Sequence, residues 1–114
     1  MRTKEQYLKS LTTKNRNLFL NGKKIDRDDD ALMMAANVIG VTFDLAQDPN
    51  LQHLTTAKSH LTGETINRFC HVHQNTDDLH KKQDMTRMYC NKVSHCIGRC
   101  MGVDALNAIN SVSF

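Results

Sequence analysis

The chain has no tryptophan, one proline and five glycines in 114 residues. Its punctuation is sparse, and no low-complexity linker or internal repeat divides it. No run approaches the roughly eighteen apolar residues that a membrane span requires. The opening MRTKEQYLKS has no apolar core of the kind a secretory signal carries. Charge of one sign is also scarce: the formal net charge is +3, with basic and acidic residues interleaved. That balance does not point to nucleic acid, and no dense basic helix is present. Four cysteines without a signal fit a reducing compartment, where thiols stay free or bind metals, so the cytoplasm is expected. The acidic knot Asp26 to Asp30 lacks the glycine and the distal glutamate of a calcium loop and reads as a solvated connection.

The composition is 39% hydrophobic and 24% charged, which suits a folded, polar domain rather than a disordered chain. The length allows one domain, residues 1 to 114, with a modest core. The patterning is mainly helical. Thr3 and Gln6 have the spacing of a capping box ahead of a first helix bearing Tyr7, Leu8 and Leu11. Asn21-Gly22 between LFL and KKI predicts a short β-hairpin over residues 18 to 25, because a type I′ turn needs positive φ at both central positions. A second helix runs from a cap at Asp30 to Pro49. Its apolar residues (Leu32, Met33, Ala36, Val38, Ile39, Val41, Phe43, Leu45) surround the axis, as in a central, buried helix. LTGETINRF reads as a turn at Gly63 between extended residues. The clearest helix begins at a cap on Asn75 or Thr76, with Asp77 and Asp78 in its first turn. It is expected to continue through Cys100, with Gly102 interrupting it and Asp104 opening a last helical run.

On that helix Met85, Tyr89, Val93, Cys96 and Cys100 form one stripe. Residues four apart lie one turn apart, about 5–6 Å between Cβ atoms. Two thiolates so placed could chelate one ion or reach two irons of a cluster. The stripe would equally suit two small core residues, since free cysteine is often buried. Spacing alone leaves both readings open. No second C-x-x-C or H-x-x-x-H supplies a zinc ligand set. Cys70 and Cys90 lie away from the stripe and read as incidental thiols. His71 and His73 share a face if extended, and in a polar segment they read as hydrogen-bonded rather than as ligands. His95 would project a quarter turn from Cys96, a poor co-ligand. Within this chain the pair is two ligands short.

The stretches FDLAQDPNLQHLTTAKSHLTGETINRF, HQNTDDLHKK and CIGRCMGVDALNA resemble the N-terminal region of the 4-hydroxybutyryl-CoA dehydratase/vinylacetyl-CoA Δ-isomerase branch of the 4-hydroxyphenylacetate 3-hydroxylase family. The TDDL helix start marks the broad family and the C-x-x-x-C pair marks the dehydratase branch. The resemblance implies the N-terminal helical domain of an acyl-CoA-dehydrogenase-like fold, and a chain that is a fragment of a longer, homotetrameric enzyme. It implies FAD and a [4Fe–4S] cluster held by three cysteines and a histidine. Two of those cysteines match Cys96 and Cys100, and the other ligands come from a later region. The implied reaction takes an acyl-CoA substrate, 4-hydroxybutyryl-CoA, to crotonyl-CoA and water, in anaerobic 4-aminobutyrate degradation. It removes a C3 hydrogen that is not acidic, which is why a one-electron cofactor and a Lewis acid are both needed. The 114 residues alone are expected to be inactive. Where the branch is expected to have Gln between the two cysteines, this sequence has Gly98, which bears on substrate positioning. The rival expectations are a flavin-dependent hydroxylase of the 4-hydroxyphenylacetate type and a non-catalytic helical interaction module with buried thiols. Neither nucleic acid nor a membrane is an expected partner.

Overall fold

A computed structural model describes residues 1–14 and 17–113. Helix α1 (Lys4–Thr12) starts from the expected capping box, in which the Gln6 amide donates to Thr3 Oγ1 and the Thr3 amide donates to Gln6 Oε1. It lies on α2 (Asp30–Gln47), with Tyr7 stacked on Phe43 at 4.9 Å between ring centroids. Gly40 makes room for this contact, because a Cβ there would come within 2.9 Å of Lys4 Cε. Strands β1 (Leu18–Leu20) and β2 (Lys23–Ile25) pair antiparallel, Leu18 opposite Ile25. Asn21 at φ 51° and Gly22 at φ 77° supply the two left-handed residues of the turn.

Two expectations for α2 are corrected. The cap is Asp29, whose Oδ1 accepts from the Ala31 amide at 2.9 Å; Asp30 is the first helical residue. Nor is α2 a central, buried helix. Its buried residues are small or polar (Ala36, Gly40, Thr42, Ala46), and Met34 is 71% exposed. Apolar composition all round does not bury a helix when its neighbours pack against one narrow strip of small side chains.

After α2 come a short helix, α3 (Gln52–Thr55), and a second antiparallel hairpin, β3 (Thr56–Lys58) with β4 (Thr65–Asn67). The turn between them has Gly63 at φ 71°, as its sequence predicts. A 3-10 turn, Arg68–Cys70, leads to α4 (Thr76–Val93), which Asn75 caps by accepting from the Asp78 amide at 2.9 Å. The core is Phe69, Met85, Tyr89, Ile97 and Val103, with Val38, Val41 and Leu45 of α2 packed against it.

The predicted continuous helix through Cys100 is also corrected. α4 ends at Val93, Ser94 closes it at φ 57°, and α5 (Cys100–Val112) begins only after a connection with Gly98 at φ 69°. Gly102 lies inside α5, and Asp104 is a second-turn residue paired with Lys82. The reason is burial. Ile97 is 3% exposed in the core, and Arg99 also sends its side chain inward. Residues two apart on a helix point to nearly opposite sides, so both can face inward only if the helix breaks. Phe114 lies outside the described residues.

A polar staple fixes the segment before α4. Arg68, 4% exposed, donates from Nε to the Leu54 carbonyl at 2.7 Å and from Nη2 to the Thr56 carbonyl at 2.6 Å. Its Nη1 lies 3.4 Å from Asp78 Oδ1, and His71 Nε2 lies 3.0 Å from Asp78 Oδ2. Asn107 of α5 accepts from the His73 amide at 2.7 Å and donates to the His71 carbonyl. His71 and His73 do face one another, 6.2 Å between ring centroids, and both are tied into this packing.

Two predictions follow from these local conformations. A glycine in a helix interior would gain from replacement by alanine, whereas Gly98→Ala at positive φ should destabilise the chain by about 1 kcal/mol, although no atom lies where the methyl would go. Urea denaturation measures this, and unchanged or raised stability would contradict the left-handed connection. Burial first, and then His71, hold the imidazole of His73 below its ordinary pKa of 6.5, with Lys82 and Arg68 adding in the same sense and Asp78 opposing. Between the lowered value and 6.5 the unfolded chain binds more protons than the folded one. Stability is therefore fully present above that pH and falls on acidification through the window. His73→Gln should flatten the fall, and an unchanged pH slope in this variant would refute the assignment.

Candidate metal-binding cysteine pair

Cys96 and Cys100 flank the left-handed Gly98. Cys96 sits in the exposed connection and Cys100 is the first, half-buried residue of α5. Both thiols are free, and their sulfur atoms stand 3.9 Å apart. The pairing expected from sequence is present, but a loop and a helix start produce it rather than one helical face. The Gly98 amide donates to Cys96 Sγ at 3.4 Å. Burial, and then the hydrogen bond with Cys96, push the Cys100 thiol above its ordinary pKa. Beside the pair, Met34, Val38 and Ile39 of α2 and Ile97 line an apolar cavity of about 430 Å³ on which Cys96 opens.

Arg99, between the two thiols, is the residue that sequence reasoning missed. Its guanidinium carbon lies 4.7 Å from the Phe43 ring centroid and 4.9 Å from that of Phe69. Nη1 donates to Thr42 Oγ1. Thr42 is fully buried, and its carbonyl accepts from Asn67 Nδ2 at 3.0 Å and from the Tyr89 hydroxyl at 3.1 Å. Burial raises the Tyr89 pKa and keeps that hydroxyl a donor. One residue of α2 thus gathers β4, α4 and the cysteine connection. An arginine inside an apolar pattern normally reads as a surface residue, and only the two distant aromatic rings mark it otherwise.

The remaining candidates are apart from the pair. His95 points Nδ1 at the Cys96 carbonyl oxygen, 2.7 Å away, rather than at either sulfur. Cys70 is exposed and lies near the Arg99 guanidinium; Cys90 is half-buried on α4. Among the described residues no three or more His, Cys, Asp or Glu side chains converge into a metal site. The pair therefore offers two ligands and no complete ligand set. Among the described residues no helix is long and apolar enough to cross a membrane.

Comparison with known proteins places this arrangement in context. Residues 3–114 match the family described as 4-hydroxyphenylacetate 3-hydroxylase N terminal. The 4-hydroxybutyryl-CoA dehydratase/vinylacetyl-CoA-Δ-isomerase of Clostridium aminobutyricum is 43% identical over an alignment that covers 98% of this chain and 23% of that protein. The structure of an oxygen-tolerant archaeal 4-hydroxybutyryl-CoA dehydratase from N. maritimus superposes with a TM-score of 0.86 at 30% identity, over 93% of this chain and 21% of that one. A mutant of HpaB complexed with FAD shares the fold, with a TM-score of 0.68 at 19% identity, over 81% of this chain and 19% of that one. The chain thus spans about a quarter of the length of the relatives it matches. It belongs to the 4-hydroxyphenylacetate 3-hydroxylase N-terminal family.

Proposed function

We propose that this chain forms the N-terminal helical part of a 4-hydroxybutyryl-CoA dehydratase with vinylacetyl-CoA isomerase activity, and that Cys96 and Cys100 supply two ligands to its [4Fe–4S] cluster. The observation that carries the reading is the pair itself: two free thiols 3.9 Å apart in a chain 43% identical to such an enzyme. The donor set fits the group. The thiols are free, Cys96 is exposed to further ligands, and the cavity on which it opens is largely apolar. Two ligands are too few, so the reading needs the further ligands to come from sequence outside these residues. When bound, FAD would supply one-electron chemistry to the acyl-CoA and the cluster would supply a Lewis acid for the departing hydroxyl.

This chain's own contribution is limited and specific. Cys96 and Cys100 hold, and neither acts as the base. Gly98 presents no side chain between them, so any contact with the acyl-CoA from this position comes from backbone. The Met34, Val38, Ile39 and Ile97 surface lines the approach to Cys96. The homotetramer and the cytoplasmic setting belong to the same reading. The family's hydroxylases offer a second one, favoured by the family description; their flavin chemistry has no use for paired thiolates.

The test uses the protein that contains this chain, expressed without oxygen. Iron, acid-labile sulfide and flavin should be present, and 4-hydroxybutyryl-CoA should be converted to crotonyl-CoA. Cys96→Ser or Cys100→Ser should lose iron and dehydration while retaining flavin. Full iron content and undiminished dehydration in either variant would rule out the ligand role.

A further inference from the structure

We propose that the apolar surface beside Cys96 is the seat of the later segment of the longer protein that carries the remaining cluster ligands. The inference deepens the proposed function and rests on its reading of Cys96 and Cys100 as ligands. The pair supplies two donors, and no third converges on it among the described residues. A segment that completes the site must bring its own side chains within bonding distance of the group held on these sulfurs. It therefore has to pack on whatever flanks the pair.

What flanks the pair is apolar and uncovered. Met34 of α2 lines the cavity with Val38, Ile39 and Ile97, and it is 71% exposed. Met101 follows Cys100 and is equally exposed. Single exposed apolar residues need no explanation, whereas several around one cavity mark a surface that another body covers. The chemistry of the lining selects the occupant. Among the described residues it holds no Lys, Arg, Asp or Glu. The phosphates of a CoA need cations, and the polar edge of a flavin needs hydrogen-bond partners. The Gly98 amide is already engaged by Cys96 Sγ at 3.4 Å, and His95 Nδ1 faces the Cys96 carbonyl. The cavity thus offers mainly apolar contact, which suits aliphatic or aromatic side chains flanking a Cys or His. Methionine adapts its shape to such neighbours and is enriched at interfaces. This occupant also accounts for the apolar residues of α2 that its own chain leaves uncovered.

Photo-methionine tests this in the protein that contains this chain, expressed without oxygen and irradiated with flavin and 4-hydroxybutyryl-CoA bound. The analogue carries a diazirine at nearly the size of methionine, so the seat keeps its shape. Position 34 should cross-link within the same polypeptide to a peptide C-terminal to residue 114. Replacing a Cys or His of that peptide should lose iron while flavin stays. Brief hydroxyl-radical oxidation of the unlabelled protein gives a second reading. Met34 and Met101 should lose their reactivity and oxidise as slowly as Met85, which is fully buried within this chain. The seat is overturned if Met34 and Met101 oxidise as freely as exposed methionines, or if position 34 links only to another subunit, the flavin or the acyl-CoA. It is equally overturned if iron depends on no residue of the linked peptide. Iron is measured in the same sample. Iron that depends on Cys96, together with any of these failures, leaves the proposed function standing, and a protein without iron overturns both.

Discussion

The structure depends on one arginine seated between two aromatic rings. Arg99 leaves the connection between α4 and α5, lies against Phe43 of α2 and Phe69 of the 3-10 turn, and donates to Thr42. A half-buried guanidinium is costly unless its donors and faces are used. Here each ring contact contributes roughly 0.5–2 kcal/mol, and the hydroxyl meets one donor. Ile97 also ties residues 94–99 to the fold by filling the core beneath them, and Cys70 lies beside the guanidinium.

Thr42 is the other half of that constraint. Its hydroxyl serves Arg99 and its carbonyl serves Asn67 and Tyr89, so three separate segments meet at one fully buried residue of α2. This explains why α2 buries small and polar residues although its composition is strongly apolar. The inner strip must be narrow for polar groups from α4, β4 and the cysteine connection to reach a single backbone position. Val38, Val41 and Leu45 pack against the core beside that strip, and Met34, Val38 and Ile39 line the cavity beside Cys96.

The parts of the fold governed by neighbouring residues were legible in the sequence. Thr3 with Gln6, Asn21-Gly22, Gly63 and Asn75 each act within four positions, and each takes the expected role. Asp29 replaced Asp30 as a cap because adjacent aspartates offer the same chemistry one residue apart. The break at Ser94 was not legible. No proline or paired glycine marks it, and the Met85, Tyr89, Val93, Cys96, Cys100 periodicity runs through it unbroken. It comes from Ile97 and Arg99 facing the same interior, which depends on rings more than twenty-five residues away. At the candidate site the proximity of Cys96 and Cys100 was legible from spacing. The way they meet was not, because it depends on the same long-range contacts.

The proposed sharing of one site between this chain and later sequence has a physical rationale. A backbone fixed early in the sequence leaves only side-chain rotation to be made when the remaining ligands arrive, which favours assembly of a thiolate-bound group. In this account the Arg99 seat is what fixes the backbone between the two cysteines. The most direct measurement is the guanidinium resonance itself. In ¹H–¹⁵N spectra of the labelled chain, the Arg99 side-chain protons should be slow to exchange and shifted upfield by the Phe43 and Phe69 rings. Thr42→Val should speed their exchange. An Arg99 side chain with free-arginine shifts and rapid exchange in the folded chain would contradict the account.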